Sequence, residues 1–360
     1  MKAAICYEFG HPLVVEDVTL DPPQHGEVHI RIAATGICHS DLHAISGEWG
    51  GADTLPFVAG HESSGTVLDV GPGVTRFKPG DRVIVTLIRS CGHCFYCSAG
   101  FPTRCETQFA LSRENRIHNT RGEPINLRLN TGSFAEEVVV HESQIVKMPD
   151  GVSFDVAAPM ACAVITGAGA VLNTTPIRAG SSVVVIGTGG VGLNSVQAAR
   201  IAGAYPIIAI DTLDNKLEIA HQFGATHSAN PVTEDAVAMV KQLTAGRGAD
   251  YVFVTVGNTK ASEQGFKMLR TRGTMTVVGI PEAGATIALP SMGFVQERTV
   301  TGSMMGSTRL ETDIPRLFNL YANGQLLLDQ LISKRWTLVQ INEAISDTAC
   351  GNAIRNVIMF

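Results

Sequence analysis

The 360-residue sequence lacks the features of membrane, secreted and nucleic-acid-binding chains. It has no run of about 18 apolar residues, which a membrane-spanning helix requires, and its first residues form no apolar signal segment. No block of like charge occurs and the net charge is −6, so nucleic acid and anionic membranes are not expected as partners. We therefore expect a cytoplasmic chain whose eight cysteines are thiols in a reducing compartment.

Aromatic residues are scarce, at 6%, whereas glycine is frequent, with 37 residues, and 45% of the chain is hydrophobic. This composition is typical of a glycine-rich α/β protein with large buried cores. The chain is too long for one ordinary core, so two domains are expected.

The first part of the chain, residues 1–150, is predicted to be β-rich. Residues 28–32, 62–70 and 82–87 have the alternating or apolar patterns of strands, and glycine- and proline-rich turns separate them. Residues 106–132 are polar with weak periodicity. We predict that they form a long ordered surface loop.

From about residue 163 onward, apolar strands alternate with helical patterns. Uninterrupted apolar strands indicate a parallel sheet covered on both faces, and the alternation indicates a doubly wound domain. The tail after about residue 305 contains two helical stretches and a final strand, and we expect it to return to the first domain. The predicted strands are residues 183–186, 207–210, 251–254, 275–278 and 354–359.

Four closely spaced cysteines form a C-x2-C-x2-C-x7-C run: Cys91, Cys94, Cys97 and Cys105. Thiolates at this spacing can occupy the corners of one tetrahedron around zinc. A disulfide framework would show the same pattern, but nothing else in the sequence is typical of a secreted protein. The run therefore predicts a structural zinc site.

A G-x-G-x-x-G fingerprint directly follows an apolar strand and begins a helix. The glycines permit a tight turn and close approach of the backbone to a pyrophosphate, and the helix N-terminus offers N–H groups to the phosphates. Asp211 ends the next strand, where a carboxylate can bind the adenosine ribose hydroxyls and repel a 2′-phosphate, so NAD is favoured over NADP. Plain turn glycines with Asp211 as a helix cap are the alternative. The loop residues are Gly187, Gly189, Gly190, Val191 and Gly192.

A second constellation combines residues 36–43, Gly60-His61-Glu62 and, much later, Cys162. Cys38, His61 and Cys162 would supply two thiolates and one imidazole, a three-ligand zinc arrangement with an open fourth position, as in catalytic sites. Spacing alone does not show that residues so far apart converge. Scattered core cysteines and a surface histidine remain the alternative.

Taken together, these motifs resemble the zinc-containing, medium-chain alcohol dehydrogenases, in the NAD-dependent branch with long chains, over essentially the full length. The resemblance implies a β-rich, GroES-like catalytic domain, residues 1–163 and 305–360, and a Rossmann NAD-binding domain, residues 164–304. The residues that carry it are Gly36 to Asp41, Gly60 to Glu62, the four-cysteine run, Cys162, Thr166-Gly167, the glycine loop with Asp211, and Arg355.

The resemblance also implies roles for individual residues. Zinc, two ions per subunit, and NAD are the implied cofactors, with one zinc acting as a Lewis acid on the substrate oxygen. Cys38, His61 and Cys162 would hold the catalytic zinc, with Glu62 as an alternate ligand, and Asp41 would orient the ligand histidine. Ser40 and His43 would carry the released proton to water. Cofactor contacts are implied for His39, Thr166, Lys216, Ile280 and Arg355.

Substrate positions implied by the resemblance are large and apolar. They favour a hydrophobic primary alcohol or aldehyde that is aliphatic, allylic or aromatic. Trp49 and Phe109 stand where the glutathione-adduct branch has polar contacts, and Cys162 stands where the polyol branch tends to use a carboxylate, so both branches are disfavoured. The pocket-wall positions are Trp49, Leu87, Phe134, Ile280 and Met304.

Two other functions share parts of the pattern. A nicotinoprotein-type alcohol oxidoreductase, with tightly bound NAD(H) and an external acceptor, would carry every motif above. A non-enzymatic nucleotide-binding structural protein would not need Cys38, His61, Cys162 and Ser40 together. For the assembly we expect a homodimer joined near residues 300–305, where edge strands can pair across a two-fold axis, with a tetramer as the alternative.

Overall fold

The chain divides into two compact units in the computed structural model, which describes residues 1–51, 54–351 and 353–360. Unit 1 comprises Met1–Cys162, Arg309–Asn319 and Leu328–Phe360. Unit 2 comprises Ala163–Thr308 and Leu320–Leu327.

Short strands dominate unit 1, and strands and helices alternate in unit 2. The strands are β1 (Lys2–Cys6), β2 (Val14–Leu20), β3 (Glu27–Gly36), β4 (Phe57–Val58), β5 (Glu62–Val70), β6 (Arg82–Val85), β7 (Ile117–Asn119), β8 (Pro124–Leu127), β9 (Glu137–His141), β10 (Ile145–Lys147), β11 (Val183–Ile186), β12 (Ile207–Ile210), β13 (His227–Ala229), β14 (Ala249–Val254), β15 (Leu269–Val277), β16 (Thr299–Gly302), β17 (Ile332–Thr337) and β18 (Arg355–Met359). The helices are α1 (His39–Ser46), α2 (Phe95–Ser98), α3 (Phe154–Ala157), α4 (Ala163–Gly169), α5 (Gly190–Ile201), α6 (Asp214–Gln222), α7 (Ala236–Leu243), α8 (Thr259–Met268), α9 (Met292–Val295), α10 (Leu310–Ala322) and α11 (Ile341–Ala349).

Unit 1 is built from two β-structures. Strands β1, β2, β7, β8 and β4 close a small barrel, and a second sheet has the order β10-β6-β5-β3-β18-β17, with β9 paired to β3. Alternation along β3 places Val28, Ile30 and Ile32 in a buried core, at 0–1% exposure. The predicted β-rich character of the first 150 residues therefore follows from period-two burial of branched side chains.

The prediction of a surface loop over residues 106–132 is wrong for part of that segment. It contains β7 and β8, which pair with each other and with β2 and β4. Ile117 and Ile125 are buried in the core of the barrel, at 1% and 0% exposure. These strands have only three and four residues, so their alternation is too short to stand out in a polar sequence.

Most of the tail that was expected to return to the first domain groups with unit 1, as Arg309–Asn319 and Leu328–Phe360, whereas Leu320–Leu327 groups with unit 2. Strand β18 pairs antiparallel with β3, with Val357 opposite Gly36, and parallel with β17. The last strand of the chain thus lies beside the strand that leads directly into Cys38.

Unit 2 contains one six-stranded parallel sheet of order β13-β12-β11-β14-β15-β16. Every residue of β11 and β12 is buried, as the uninterrupted apolar runs at 183–186 and 207–210 predicted. The chain runs outward from β11 to β13 and then crosses to β14 on the other side of β11. Ligands of doubly wound folds bind at such a reversal point, and the glycine loop follows β11.

No single helix among the described residues is both long and apolar enough to cross a bilayer. One bent pair of helical segments, Phe154–Ala161 with Ala163–Thr174, has the length and apolar composition of a membrane span. Every residue of α4, which begins the second member, is buried inside the protein.

Candidate active site and zinc centres

Four side chains bring possible metal ligands together inside unit 1. The sulfurs of Cys38 and Cys162, a ring nitrogen of His61 and a carboxylate oxygen of Glu62 lie within 4.8 Å of one another, and all four residues are buried. Cys38 caps the N-terminus of α1, and Cys162 ends the 3-10 turn Ala158–Ala161. The structure therefore gathers the distant residues whose convergence the spacing could not show.

Asp41, on the first turn of α1, connects the parts of this cluster. Its Oδ2 accepts a hydrogen bond from the Cys38 amide at 3.0 Å. Its Oδ1 accepts one from the Gly60 amide at 3.0 Å and lies 2.9 Å from His61 Nδ1. Asp41 has 0% exposure, so this carboxylate binds the Nδ1 side of His61 and fixes the orientation of its ring.

Gly60 meets a steric requirement next to His61. Its φ is +92°, and an added Cβ would lie 2.6 Å from Phe134 Cδ1 and 2.7 Å from the Phe134 amide nitrogen. Only glycine fits this left-handed, crowded position without a shift, and the amide that it presents is the one bound by Asp41.

The buried cluster fits zinc by its unpartnered atoms and its donor set. His61 Nε2 and both Glu62 oxygens are buried and form no hydrogen bond within the described residues. Orphaned buried polar atoms are rare and costly. Two thiols and one imidazole nitrogen match the ligand types that catalytic zinc takes, with a position left open.

The electrostatics of the cluster follow from its burial. A hydrogen bond from Cys162 lowers the pKa of Cys38 well below its usual value, and the same bond raises the pKa of Cys162. Burial opposes the charged form of His61, but the Asp41 carboxylate outweighs it and holds the pKa well above its usual range. Burial raises the pKa of Glu62 to about 8, against the opposing charge of Arg355.

Arg355 is placed beside this cluster at the start of β18. It is 4% exposed; its Nη1 donates to the Ile37 carbonyl at 2.8 Å and its Nε lies 3.4 Å from Glu62 Oε2. Burial opposes the charge of Arg355, yet the Glu62 carboxylate raises its pKa above the usual range. The predicted contact of Arg355 with a cofactor pyrophosphate stays a prediction.

The remaining predicted residues of α1 lie closer to solvent. His39 is exposed, and Ser40 and His43 are half-buried. The His43 ring stacks on Trp49 with 5.5 Å between centroids, and its Nδ1 pairs with a carboxylate oxygen of Glu48. Among the described residues, Ser40 and His43 share no hydrogen bond. Their role in carrying the substrate proton to water therefore stays a prediction.

The four-cysteine run forms a second cluster in unit 1. The sulfurs of Cys91, Cys94, Cys97 and Cys105 lie within 4.8 Å of one another, and none of them forms a disulfide. A hydrogen bond from Thr107 is the main reason that the pKa of Cys91 falls to about 5. The amides of His93 and Cys94 also donate to the Cys91 sulfur, at 3.4 and 3.2 Å. Amides directed at a thiolate are consistent with a closed tetrathiolate zinc site.

The glycine loop of unit 2 has the shape expected of a phosphate cradle. An added Cβ at Gly192 would lie 1.8 Å from the Gly187 carbonyl oxygen, whereas nothing lies within 4 Å of one at Gly189. The first and last glycines thus pack tightly, and the middle one leaves space. Gly189 caps α5, whose N-terminal amides begin at Gly190 and Val191. A pyrophosphate of a dinucleotide fits this open, N-terminal position.

Other predicted cofactor residues are spread over unit 2. Asp211 directly follows β12, and its carboxylate accepts a hydrogen bond from the Thr188 amide of the loop. Lys216 is half-buried on the first turn of α6, and Ile280, after β15, is 47% exposed. Thr166 on α4 is 8% exposed, and its hydroxyl contacts the Met305 sulfur at 3.6 Å.

Known proteins resemble the chain over its whole length. The profile of the Zinc-binding dehydrogenase family matches residues 190–323, and that of the Alcohol dehydrogenase GroES-like domain matches residues 24–150. The NDMA-dependent alcohol dehydrogenase of Amycolatopsis methanolica is 36% identical, over 99% of this chain and 98% of its own. The chain belongs to the zinc-containing medium-chain alcohol dehydrogenase family. The predictions of this family and of an enzyme, an NAD-dependent alcohol dehydrogenase, are thereby confirmed.

Two further relatives of this alcohol dehydrogenase agree with that assignment. S-(hydroxymethyl)glutathione dehydrogenase of Paracoccus denitrificans is 35% identical, over 100% of this chain and 99% of its own. The crystal structure of benzyl alcohol dehydrogenase from Acinetobacter calcoaceticus superposes with a TM-score of 0.92 at 32% identity, covering 100% of this chain and 99% of that one. The prediction of a GroES-like plus Rossmann α/β fold is confirmed by this match.

Predicted substrate positions of this alcohol dehydrogenase differ in exposure. Phe134 has 0% exposure and packs in the barrel core, and Trp49 packs against the same core. Leu87 and Met304 are half-buried. Phe134 thus serves packing at least as much as any contact with substrate.

Sequence analysis missed two polar residues at these sites. Glu48 contacts His43, but in the sequence it is an ordinary surface acid, and because it lies beyond the end of α1 at Ser46, no helical spacing predicts the contact. Thr188 was counted only as a variable position of the fingerprint, although its side chain binds Asp211. A hydroxyl in that position, followed by an acid at the end of the next strand, is the signal that would have found it.

Proposed function

We propose that this enzyme is a zinc- and NAD-dependent alcohol dehydrogenase for a hydrophobic primary alcohol or its aldehyde, whether aliphatic, allylic or aromatic. The observation that carries the proposal is the buried cluster of Cys38, His61 and Cys162, with His61 oriented by Asp41 and its Nε2 left without a hydrogen bond. Residues 1–163 and 305–360 would perform catalysis, and residues 164–304 would bind NAD.

Two zinc ions per subunit are part of the proposal. Cys38, His61 and Cys162 would hold one, with Glu62 as an alternate ligand, and the four-cysteine cluster would hold the other. Bound zinc supplies Lewis-acid polarisation of the substrate oxygen, and bound NAD accepts the hydride.

The chain's own groups would move the proton and hold the reactants. Ser40 would take the proton of the substrate hydroxyl and His43 would deliver it to water, since imidazole exchanges protons near neutral pH. The Glu48 carboxylate and the Trp49 ring support this role because they hold the His43 ring in one orientation. His39, Thr166, Lys216, Ile280 and Arg355 would contact the cofactor together with the glycine loop and Asp211.

The apolar character of the substrate is the finer part of the proposal. Trp49, Leu87 and Met304 favour an apolar substrate, and the relative from Acinetobacter calcoaceticus is a benzyl alcohol dehydrogenase. Trp49 and Phe109 stand against a glutathione adduct, although one relative is an S-(hydroxymethyl)glutathione dehydrogenase. Phe109 packs edge-on against His141, with 4.7 Å between centroids, so it offers no charged contact.

The deciding experiment is a screen at 340 nm with NAD and aliphatic, allylic and benzylic alcohols, repeated after chelation. We expect turnover that chelation abolishes. Cys38→Ser should lose turnover and about one zinc per subunit, Cys97→Ser should lose the other zinc and much stability, and Cys350→Ser, an exposed cysteine outside both clusters, should lose neither. Turnover in Cys38→Ser protein that lacks this zinc would refute the catalytic assignment.

A second candidate is a nicotinoprotein, in which tightly bound NAD(H) passes electrons to an external acceptor. The 36% identity to an NDMA-dependent alcohol dehydrogenase favours it. Gel filtration followed by denaturation separates the two: retained nicotinamide, at about one per subunit, would support this candidate and would explain a negative screen with added NAD.

The assembly and the location complete the proposal. We propose a homodimer joined through β16, the edge strand of the parallel sheet in unit 2. The thiol content supports a reducing compartment, and the cytoplasm remains our prediction.

A further inference from the structure

The Asp211 carboxylate is fixed by three donors. Its Oδ2 accepts two hydrogen bonds from Thr188, one from the amide at 2.7 Å and one from the hydroxyl at 3.0 Å. Its Oδ1 accepts one from the Leu213 amide at 3.1 Å. Thr188 is 1% exposed, so its hydroxyl has little alternative in water, and the carboxylate cannot rotate without breaking these bonds.

The frame that holds Thr188 is itself rigid. The Gly187 amide donates to the Ile210 carbonyl at 2.7 Å, which ties the start of the loop to the end of β12. From the other side, the Thr255 hydroxyl donates to the Gly187 carbonyl at 2.7 Å. The loop and the acidic residue are therefore two ends of one connected unit, and Thr188 is the link between them.

The geometry assigns to Thr188 a role in cofactor choice: this positioning residue holds Asp211 so that it binds ribose hydroxyls and excludes a 2′-phosphate. An ionised carboxylate accepts about four hydrogen bonds. Thr188 and Leu213 supply three, and the acceptor position left at Oδ1 suits a ribose hydroxyl. A 2′-phosphate offers only acceptor oxygens and up to about two negative charges, and an immobilised carboxylate cannot turn away from it. The inference rests on the proposed use of NAD.

Calorimetric titration of the purified protein with NADH and with NADPH tests this role without any turnover. The measured quantity is the ratio of the two dissociation constants. Thr188→Val keeps the shape and removes the hydroxyl, and it should lower the preference for NADH by about tenfold, the worth of one hydrogen bond to a charged group. Thr188→Ser retains the hydroxyl and should preserve the preference. Asp211→Gly should abolish it.

Thr244→Val is the matched control, because it removes a buried threonine hydroxyl of unit 2 that donates to the Val240 carbonyl and takes no part in the frame around Asp211. It should leave the ratio unchanged even where it weakens both nucleotides equally. Thermal unfolding checks that each variant is folded, and Thr188→Ala replaces Thr188→Val should the latter fail to fold. A wild-type ratio in Thr188→Val or Thr188→Ala, or a ratio lost in Thr188→Ser, would overturn the assignment.

These experiments distinguish a failure of the Thr188 assignment from a failure of the proposed alcohol dehydrogenase activity. A protein that binds NADH in this titration but oxidises no alcohol would refute the proposed activity and leave the role of Thr188 intact. A working dehydrogenase with an unchanged ratio in Thr188→Val would refute the role of Thr188 alone. Failure to bind either nucleotide would overturn both.

Discussion

Asp41 is the residue on which the geometry of the buried thiol and imidazole cluster depends. Its two oxygens form hydrogen bonds with the amides of Cys38 and Gly60 and with the His61 ring, and the residue has no exposed surface. Each of these three groups precedes or belongs to a proposed zinc ligand. One carboxylate therefore sets the positions of two ligands that come from separate elements.

Replacing Asp41 by Asn should weaken zinc binding by about 10–100-fold, because the amide nitrogen cannot accept the hydrogen bonds that the second oxygen accepts. Competition with a chromogenic chelator measures this affinity. Asp17→Asn, at a side chain that is 71% exposed, serves as the control and should bind zinc like the parent protein. Unchanged affinity in Asp41→Asn would show that the backbone alone positions His61.

At the scale of elements, Asp250 ties together the beginnings of three neighbouring strands. Its Oδ2 accepts hydrogen bonds from the Ser182 amide and hydroxyl, at 2.8 and 2.7 Å, and its Oδ1 accepts one from Arg270 Nε at 2.6 Å. Burial by itself raises the pKa of Asp250, but these donors outweigh it and hold the pKa below its usual value. The ionised Asp250 carboxylate therefore stabilises this end of the parallel sheet, and its contribution to stability depends on pH.

Asp250→Asn should lower the free energy of unfolding by about 1–3 kcal/mol at pH 7. The folded pKa lies below the unfolded value of about 3.9. The stabilisation is therefore complete above pH ~4 and is lost as the pH falls through the folded pKa, so the two proteins should converge in acid. Urea unfolding at several pH values measures this difference. Glu297 forms an ion pair with Arg272 and its side chain is 69% exposed, so Glu297→Gln should change stability by less than about 0.5 kcal/mol.

At the scale of the whole molecule, the edge strand β16 is the strand that we expect to pair with a second copy of the chain. Its outer side is not paired within the described residues, and Thr299 and Gly302 are exposed. Unpaired edges of this kind join sheets across two-fold axes.

Sedimentation velocity should show a dimer. Thr299→Lys should shift it toward the monomer, because a charge at the edge opposes strand pairing, whereas Thr75→Lys, at an exposed loop position of unit 1, should not. A wild-type protein that sediments only as a monomer would exclude the proposed interface, and a tetramer would correct only the number of subunits.

Contiguous patterns account for what the sequence could predict. The glycine loop, the four-cysteine run, β11 and β12 are each specified within at most 15 consecutive residues, where local chemistry decides structure. Cys162 and His61 come from distant segments, so only the folded barrel and sheet bring them together, and the resemblance supplied what spacing could not. Strand β17 was missed because its Ser, Lys and Arg residues hide its alternation, and the Thr188–Asp211 link depends on β12 lying beside β11.

The position of β18 also orders events during synthesis. Strand β3, which leads into Cys38, has β18 as a neighbour in the sheet, so residues 355–359 must leave the ribosome before that sheet can close. The bulk of unit 2 emerges earlier. The parallel sheet of unit 2 can therefore fold on the nascent chain before β18 is available to pair with β3. The region around Cys38 becomes complete only after that pairing.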